Sequence, residues 1–437
     1  MGSARKAALT ALEKCRRSDA WSDAVLGSAM DAEKLQGRDR GLAAALCYGV
    51  VQNRMLLDHV IAQLSSISMR KIEPKVLDIL RISIYQLLFM DRIPAPAAVN
   101  EAVKLCRQLG CARASGFVNA VLRGAVQKKY SLPEGDTPEA LSIRYSHPLW
   151  LTELYLSRLG LAETEELLRC NNAEVPTALQ VNTLKTDAAS LLAALTAQGK
   201  SAEPHLTLPD CLLLHHGGEL RSIPQFSTGD FYVQDPAAKL SVLAAAPEKG
   251  RKILDVCAAP GGKSFAAAIM SGNGSVISCD LHENKLKRIR EGAERLGLTG
   301  LSCRAMDART FCEEFECAFD LVIADVPCSG LGVIRKKPDI RYKDPGQFAG
   351  LPGIQHAILE NVCRYVKPGG TLLYSTCTVR REENEDVVSA FLAEHPAFVS
   401  GDFELPGSLR SENGMLQLWP HKNQTDGFFI AKMRKQL

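Results

Sequence analysis

Two cysteines stand in surroundings that suit covalent chemistry. ADVPCSGLG at 324–332 puts an acid, a proline and Cys328 at the end of an apolar run, and a second apolar run, LLYSTC at 372–377, ends on Cys377. The thiolate is the reactive form of cysteine, and a thiol placed where a buried strand gives way to a loop can meet a ligand. One of the two is a candidate nucleophile and the other a candidate assistant. Spacing alone does not rank them.

CAAPGGKS at 257–264 brings a second kind of chemistry. It lies between an apolar run and a helical stretch, where backbone amides and a helix N-terminus receive a ligand. A phosphate-binding P-loop, G-x-x-x-x-G-K-[ST], matches in its second half, Gly262-Lys263-Ser264, but its first glycine would fall on Cys257. The dinucleotide pattern G-x-G-x-x-G is absent. What remains is a looser strand, glycine loop and helix for a nucleoside cofactor without pyrophosphate, with Cys257, Ala258, Ala259, Pro260, Gly261, Gly262 and Lys263 as its contact residues. The next strand ends in Asp280, an acid able to accept hydrogen bonds from both hydroxyls of a ribose. Asp307, in AMDAR after the third strand, is placed to meet an adenine, and Asp325 after the fourth faces the same crevice. Acids at three successive strand ends suit S-adenosylmethionine, whose sulfonium and amino group are cationic and whose adenosine offers hydroxyls and an amine. A metal is not expected: no C-x-x-C pair occurs, and Cys106 with Cys111 and Cys312 with Cys317 are five apart.

Strand ends need a sheet, and the sequence beyond about 236 supplies one. KILDVCAA (252–259), GSVISCDL (274–281), FDLVIADV (319–326) and GTLLYSTC (370–377) are continuously apolar, as parallel strands covered on both faces should be. NKLKRIREGAERLG (284–297) and IQHAILENVCRYV (354–366) between them have the helical period, and GMLQLWP (414–420) with GFFIAKMRK (427–435) read as a closing strand pair. The expected fold of 236–437 is a doubly wound, Rossmann-like α/β domain with its ligands at the carboxyl ends of the strands. Residues 4 to about 128 have helical periodicity throughout, as in DRGLAAALCYGVVQNRMLLDHVIAQL (39–64), with Pro94 and Pro96 beside a helix start. An all-α domain over 1–130 is expected, then a polar linker at 128–141. A small α+β module should span 145–235, with helices near 150–170 and 187–198 and strands at 177–184 and 211–216.

Composition confines the function classes. The chain has 437 residues, 46% hydrophobic and 23% charged, enough for several domains with sizeable cores. Its longest apolar helix, 76–90, carries Asp78 and Arg81 and reads as buried rather than membrane-crossing. Fourteen scattered cysteines with no signal-peptide pattern point to the reducing cytoplasm. Net charge is only +3, but residues 1–130 hold 20 basic against 11 acidic side chains. A basic module ahead of a mildly acidic one suits a nucleic acid partner. RKKPDIRYK at 335–343, five basic residues to one acid, is expected to clamp phosphates around a base drawn into the pocket.

Taken in order, LDVCAAPGGKS, ISCDLHENKLKRI, DVPCSGLGVIRKKPDIR, LLYSTCTVRREENEDVV and TDGFFIA closely resemble the RNA cytosine-5 methyltransferases. The helical front end, with RGLAAALCYGVV and FVNAVLRG, is similar to the NusB-like RNA-binding domain of the bacterial small-subunit ribosomal RNA methyltransferase B group. The resemblance implies methylation of carbon 5 of a cytosine in 16S ribosomal RNA, naked or partly assembled, at cytosine 967, by a monomeric cytoplasmic enzyme. It also assigns the thiols: Cys377 adds to carbon 6 and makes carbon 5 enamine-like, and Cys328 assists breakdown of the adduct. Asp325 would hydrogen-bond the cytosine edge beside the cofactor, and Lys263 would bring positive charge that favours a thiolate. VNTLK (181–185) and FYVQDPAAKL (231–240) resemble the family's RNA-contacting segment, with Gln180 where an arginine is common and Pro236 where a glutamate is common. Two rival readings remain: an RNA-dependent ATPase built on 257–264, and a non-catalytic RNA-binding or antitermination protein built on the helical front end.

Overall fold

A computed structural model of the chain describes residues 3–18, 22–216 and 218–437. It divides into two compact units, one comprising residues up to Asn172 together with Lys337–Lys343, the other Ala173–Lys336 and Asp344–Leu437.

The first unit is all helical, as its periodicity requires. Helices Gly37–Gln52, Arg54–Leu64, Pro74–Phe89, Ala95–Gln108 and Ser115–Val126 bury Leu46, Leu57, Ile61, Ile79, Leu105 and Leu122 in one core. The pattern over 39–64 is interrupted at Asn53, whose side-chain amide donates to the Gly49 carbonyl at 2.9 Å and so competes with the helical ladder. Pro74 and Pro96 sit in first turns, where a missing N–H costs nothing. The expected linker at 128–141 ends early: Pro138 begins helix Pro138–Tyr145, and the Thr137 hydroxyl caps it by accepting from the Ala140 N–H. Helix Leu149–Cys170 follows.

Within this unit lies the segment Lys337–Lys343. Arg341 is fully buried in it, and its Nη1 donates to the carbonyls of Gln52 (3.1 Å) and Ser146 (3.1 Å) and to Asn172 Oδ1 (2.9 Å). Its Nη2 reaches the Asn171 carbonyl at 3.4 Å. Those carbonyls close helices Gly37–Gln52, Pro138–Tyr145 and Leu149–Cys170, so one guanidinium receives the negative ends of three helix dipoles. This corrects the expectation of a phosphate clamp at 335–343. Arg341 is an internal strut whose partners are too distant in sequence to be foreseen.

The second unit holds two main sheets. Strands β1 (Thr177–Val181), β2 (Ser201–Pro204), β3 (Cys211–His215) and β4 (Phe231–Val233) pair antiparallel in the order β2-β3-β1-β4. The larger sheet contains β5 (Ile253–Asp255), β6 (Val276–Asp280), β7 (Leu301–Ala305), β8 (Phe319–Asp325), β9 (Val366–Thr376) and β10 (Phe398–Ser400). After a small pair, β11 (Glu404–Leu405) with β12 (Leu409–Arg410), the expected closing strands β13 (Met415–Leu418) and β14 (Phe428–Lys435) join it antiparallel. Its order is β10-β14-β9-β8-β5-β6-β7, with β13 on β14. From β5 the chain winds out to β7 and then crosses back to β8 on the other side of β5, so the topological switch point lies between β5 and β8. Both thiol motifs, the glycine loop and the acids at strand ends therefore share one edge. No helix among the described residues is long and apolar enough to cross a membrane.

Candidate active site

The glycine loop is held from both sides. The Val256 N–H donates to the Ile323 carbonyl, and the Ala258 N–H to the Cys279 carbonyl at 2.7 Å, so the loop continues the sheet's pairing before turning at a cis Ala259–Pro260 peptide. Gly261 then takes φ +110°, and a Cβ there would lie 2.6 Å from the Phe265 ring. Only glycine serves at that point. Helix Gly262–Met270 follows, pinned by Ser264 Oγ donating to Asp255 Oδ2 at 2.7 Å. Asp255 is fully buried, its Oδ1 has no hydrogen-bond partner, and burial raises its pKa to about 7.

A cleft of about 470 Å³ opens beyond this loop, lined by Cys257, Ala259, Asp280, Asp307, Asp325, Cys328 and Cys377. Seven residues singled out in the sequence thus meet in one place. Ala258, Pro260, Gly261 and Gly262 shape the loop behind the cleft, and Lys263 reaches forward to Asp325 instead of lining it. Asp280 accepts from the Ala259 N–H (3.3 Å) and the His282 N–H (3.1 Å), with Lys285 Nζ at 3.6 Å. Asp307 is clasped by Arg309 through Nε (3.0 Å) and Nη2 (2.7 Å), which holds its carboxyl below the usual range. Burial pushes the Cys257 thiol far up, so this cysteine stays a neutral wall residue. Leu281, Met306, Ile354 and Ile358 add apolar walls. These apolar residues carried no signal in the sequence. Acids for hydroxyls and amines, apolar walls for a base and two thiols are a donor set that fits S-adenosylmethionine beside a second planar substrate.

The two thiols meet because their strands are neighbours. β8 and β9 run parallel with Asp325 opposite Ser375, so Cys328 three residues beyond β8 and Cys377 directly after β9 emerge side by side. Their sulfurs are 3.3 Å apart. The hydrogen bond to Cys377 and burial, together with the charges of Cys377, Glu383 and Asp325, push the Cys328 thiol well up. Either sulfur can donate in this contact. Asp325 sits between thiols and glycine loop: its Oδ2 takes Lys263 Nζ at 2.6 Å and its Oδ1 takes Ser375 Oγ at 2.8 Å. The Lys263 ammonium, 4.9 Å from the Phe428 ring centre, is thus spent on Asp325 rather than on a sulfur.

Backbone contacts brace the loops. Gly332 N–H donates to the Cys377 carbonyl at 3.0 Å, Gly427 N–H donates to the Gly332 carbonyl at 2.9 Å, and a Cβ on Gly332 would fall 1.8 Å from the Gly427 oxygen. The glycines of SGLG and TDGFF are one contact. Arg335 and Lys336 close the same junction: Arg335 Nε pairs with Asp426 at 2.8 Å, Lys336 Nζ with Asp426 at 2.9 Å, and Lys336 also with Asp235. Burial opposes the Asp235 carboxylate, but Lys336 and Arg335 outweigh it and hold its pKa down to about 2. These two bases are structural as well, so Arg335, Lys336 and Arg341 are all engaged inside the protein. Gln180 is buried, with Nε2 on the Gln234 carbonyl at 3.0 Å, and offers nothing to a phosphate. Pro236 opens the helix capped by Asp235.

A parallel sheet with its switch point beside a glycine loop, acids at successive strand ends and an antiparallel closing pair define a Rossmann-like S-adenosylmethionine-dependent methyltransferase. Residues 242–434 match the family described as 16S rRNA methyltransferase RsmB/F, residues 147–221 the ferredoxin-like domain of RsmF/B-like methyltransferases, and residues 2–127 the NusB family. The chain is 40% identical to a probable ribosomal RNA small subunit methyltransferase B of Bacillus subtilis (strain 168), over 99% of each chain. It is 34% identical to the ribosomal RNA small subunit methyltransferase B of Vibrio cholerae, covering 92% of this chain and 91% of that one. Among solved structures, PH0851 superposes with a TM-score of 0.83 at 26% identity, over 99% of this chain and 98% of that one. The chain belongs to the small-subunit ribosomal RNA methyltransferase B family.

Proposed function

We propose that this protein methylates carbon 5 of a cytosine in 16S ribosomal RNA, with cytosine 967 as the position its resemblance points to. The observation that carries the reading is the pair of sulfurs 3.3 Å apart at adjacent strand ends, lining the same cleft as Asp280, Asp307 and Asp325. S-adenosylmethionine supplies an electrophilic methyl group in that cleft. Carbon 5 of cytosine is too poor a nucleophile to take it unaided, so the Cys377 sulfur adds to carbon 6 and raises electron density at carbon 5. Asp325, fixed by Lys263 and Ser375, hydrogen-bonds the base edge and holds the ring against the sulfur. For release, the carbon 5 proton passes to a base in the cleft, its bonding pair restores the C5–C6 double bond, and the C6–S pair leaves with Cys377. The Cys328 thiol supplies the proton which that sulfur then takes.

The basic helical unit and the small antiparallel sheet hold the RNA, free or partly assembled, around a base drawn out of its stack. Every residue given a role here comes from one chain, and we assign a monomer. Incubation with unmodified 16S RNA and methyl-labelled S-adenosylmethionine should place label on cytosine carbon 5. Hydrolysis of ATP with no label transferred would overturn the reading in favour of an RNA-dependent ATPase.

A further inference from the structure

Glu383 lies six residues beyond Cys377 in a run of charges, REEN, that looks like a solvated surface. Its side chain is instead fully buried. Oε2 accepts from the Ser329 N–H at 2.8 Å and from Gln355 Nε2 at 3.1 Å, and Oε1 takes Arg380 Nη1 at 3.4 Å. The same Gln355 amide donates to the Pro327 carbonyl at 3.0 Å. Glu383 therefore grips the peptide on both sides of Cys328, directly after it and, through Gln355, directly before it. Ser329 Oγ and Thr378 Oγ1, 2.7 Å apart, join the residues that follow the two cysteines. The Tyr374 hydroxyl donates to the Glu383 carbonyl, and the next residue, Asn384, donates to the Thr378 carbonyl at 3.1 Å. The helices around Gln355 and Glu383, Leu351–Val362 and Glu385–Glu394, are clamped by His356 with Glu394 and by His395 with Glu360.

We infer that Glu383 is the positioning residue that decides which cysteine attacks: its buried carboxylate locks the Cys328 loop and reserves Cys328 as a thiol, leaving Cys377 as the nucleophile. A carboxylate fixed beside one thiol disfavours its ionised form through space. The titratable and charged groups facing the Cys328 sulfur are Cys377 across the sulfur contact, Asp325 from its own strand end, Tyr374 from β9 and Glu383. Lys263 stands behind Asp325 and Arg380 behind Glu383. Of the acids, Asp325 has its charge met by a lysine at 2.6 Å, whereas the partner of Glu383 is an arginine at 3.4 Å. A Cys328 that stays protonated can return a proton to the departing Cys377 sulfur, which is where this inference rests on the proposed function.

The test measures alkylation of Cys328 against pH in the full chain, resolved from other cysteines by peptide mass spectrometry, together with the lifetime of the covalent RNA adduct. Glu383→Gln removes the charge and should move the Cys328 profile down by about one pH unit, seen as roughly tenfold faster alkylation below the midpoint. Its adduct should form at the parent's rate and differ from the parent's only in lifetime. Arg380→Ala leaves the carboxylate in place without its cation, and should move the profile in the opposite direction. A purely structural role would slow adduct formation and release alike and leave both profiles unmoved, and that outcome would overturn the inference. If Glu383→Gln fails to fold, the direction of the Arg380→Ala shift decides. The thiol profile needs no RNA, so it stands or falls separately from the methylation reading.

Discussion

Asp255 shows how far a single carboxyl can depart from its sequence reading. It ends β5 inside the LDVCAAPGG motif, where a lone acid before a glycine loop has no visible partner in sequence. Buried, with the Ser264 hydroxyl donating to Oδ2, it ionises only near pH 7, against about 3.9 in an unfolded chain. Between those values the native state keeps a proton that the unfolded state has lost, so stability falls as pH rises from about 4 through 7. Asp255→Asn removes that loss. Its stability relative to the parent should rise by roughly 2–4 kcal/mol between pH 5 and pH 8, measured by urea unfolding at both. Parallel pH curves for parent and variant would show that Asp255 ionises freely. The thiols and the acids at strand ends were legible because each carries its chemistry in its type and lies at the end of an apolar run. Glu383 was not, since burial of a charge in a charged run depends on what folds over it.

Elements were easier to read than their junctions. Strands β5, β6, β8 and β9 and the closing pair follow from continuous apolar runs, and helices Ala188–Ala197 and Glu283–Leu296 follow from their period. The edge strand β7, with three of its five residues exposed, lacks that pattern and is marked only by Asp307 after it. The basic segment 335–343 was misread for a definite reason. Arg341 donates to carbonyls 289 and 195 residues away, and no local pattern encodes a helix terminus supplied from there. Removing this strut leaves three helix ends unpaired around a cavity. Arg341→Ala should destabilise the helical unit by about 3–5 kcal/mol, seen as a lower urea midpoint in far-ultraviolet circular dichroism. Arg341→Lys should recover only part of it, because an ammonium cannot span the carbonyls a planar guanidinium reaches. An unchanged midpoint for Arg341→Ala would mean that water serves those carbonyls equally well.

Across the whole chain, charge is divided so that a basic helical unit stands ahead of a mildly acidic catalytic one, and the family membership gives that division a ribosomal RNA context. The chemistry is concentrated where β8 and β9 end, and its central claim is a division of labour between two sulfurs 3.3 Å apart. That claim is tested most directly by incubating the Cys377→Ala and Cys328→Ala proteins with unmodified 16S RNA and S-adenosylmethionine, and reading the protein–RNA adduct on a denaturing gel. The expected result is no adduct and at least about a thousandfold less methyl transfer for Cys377→Ala, with adduct accumulating for Cys328→Ala. Adduct accumulating in Cys377→Ala and absent from Cys328→Ala would contradict the account, because it would make Cys328 the nucleophile.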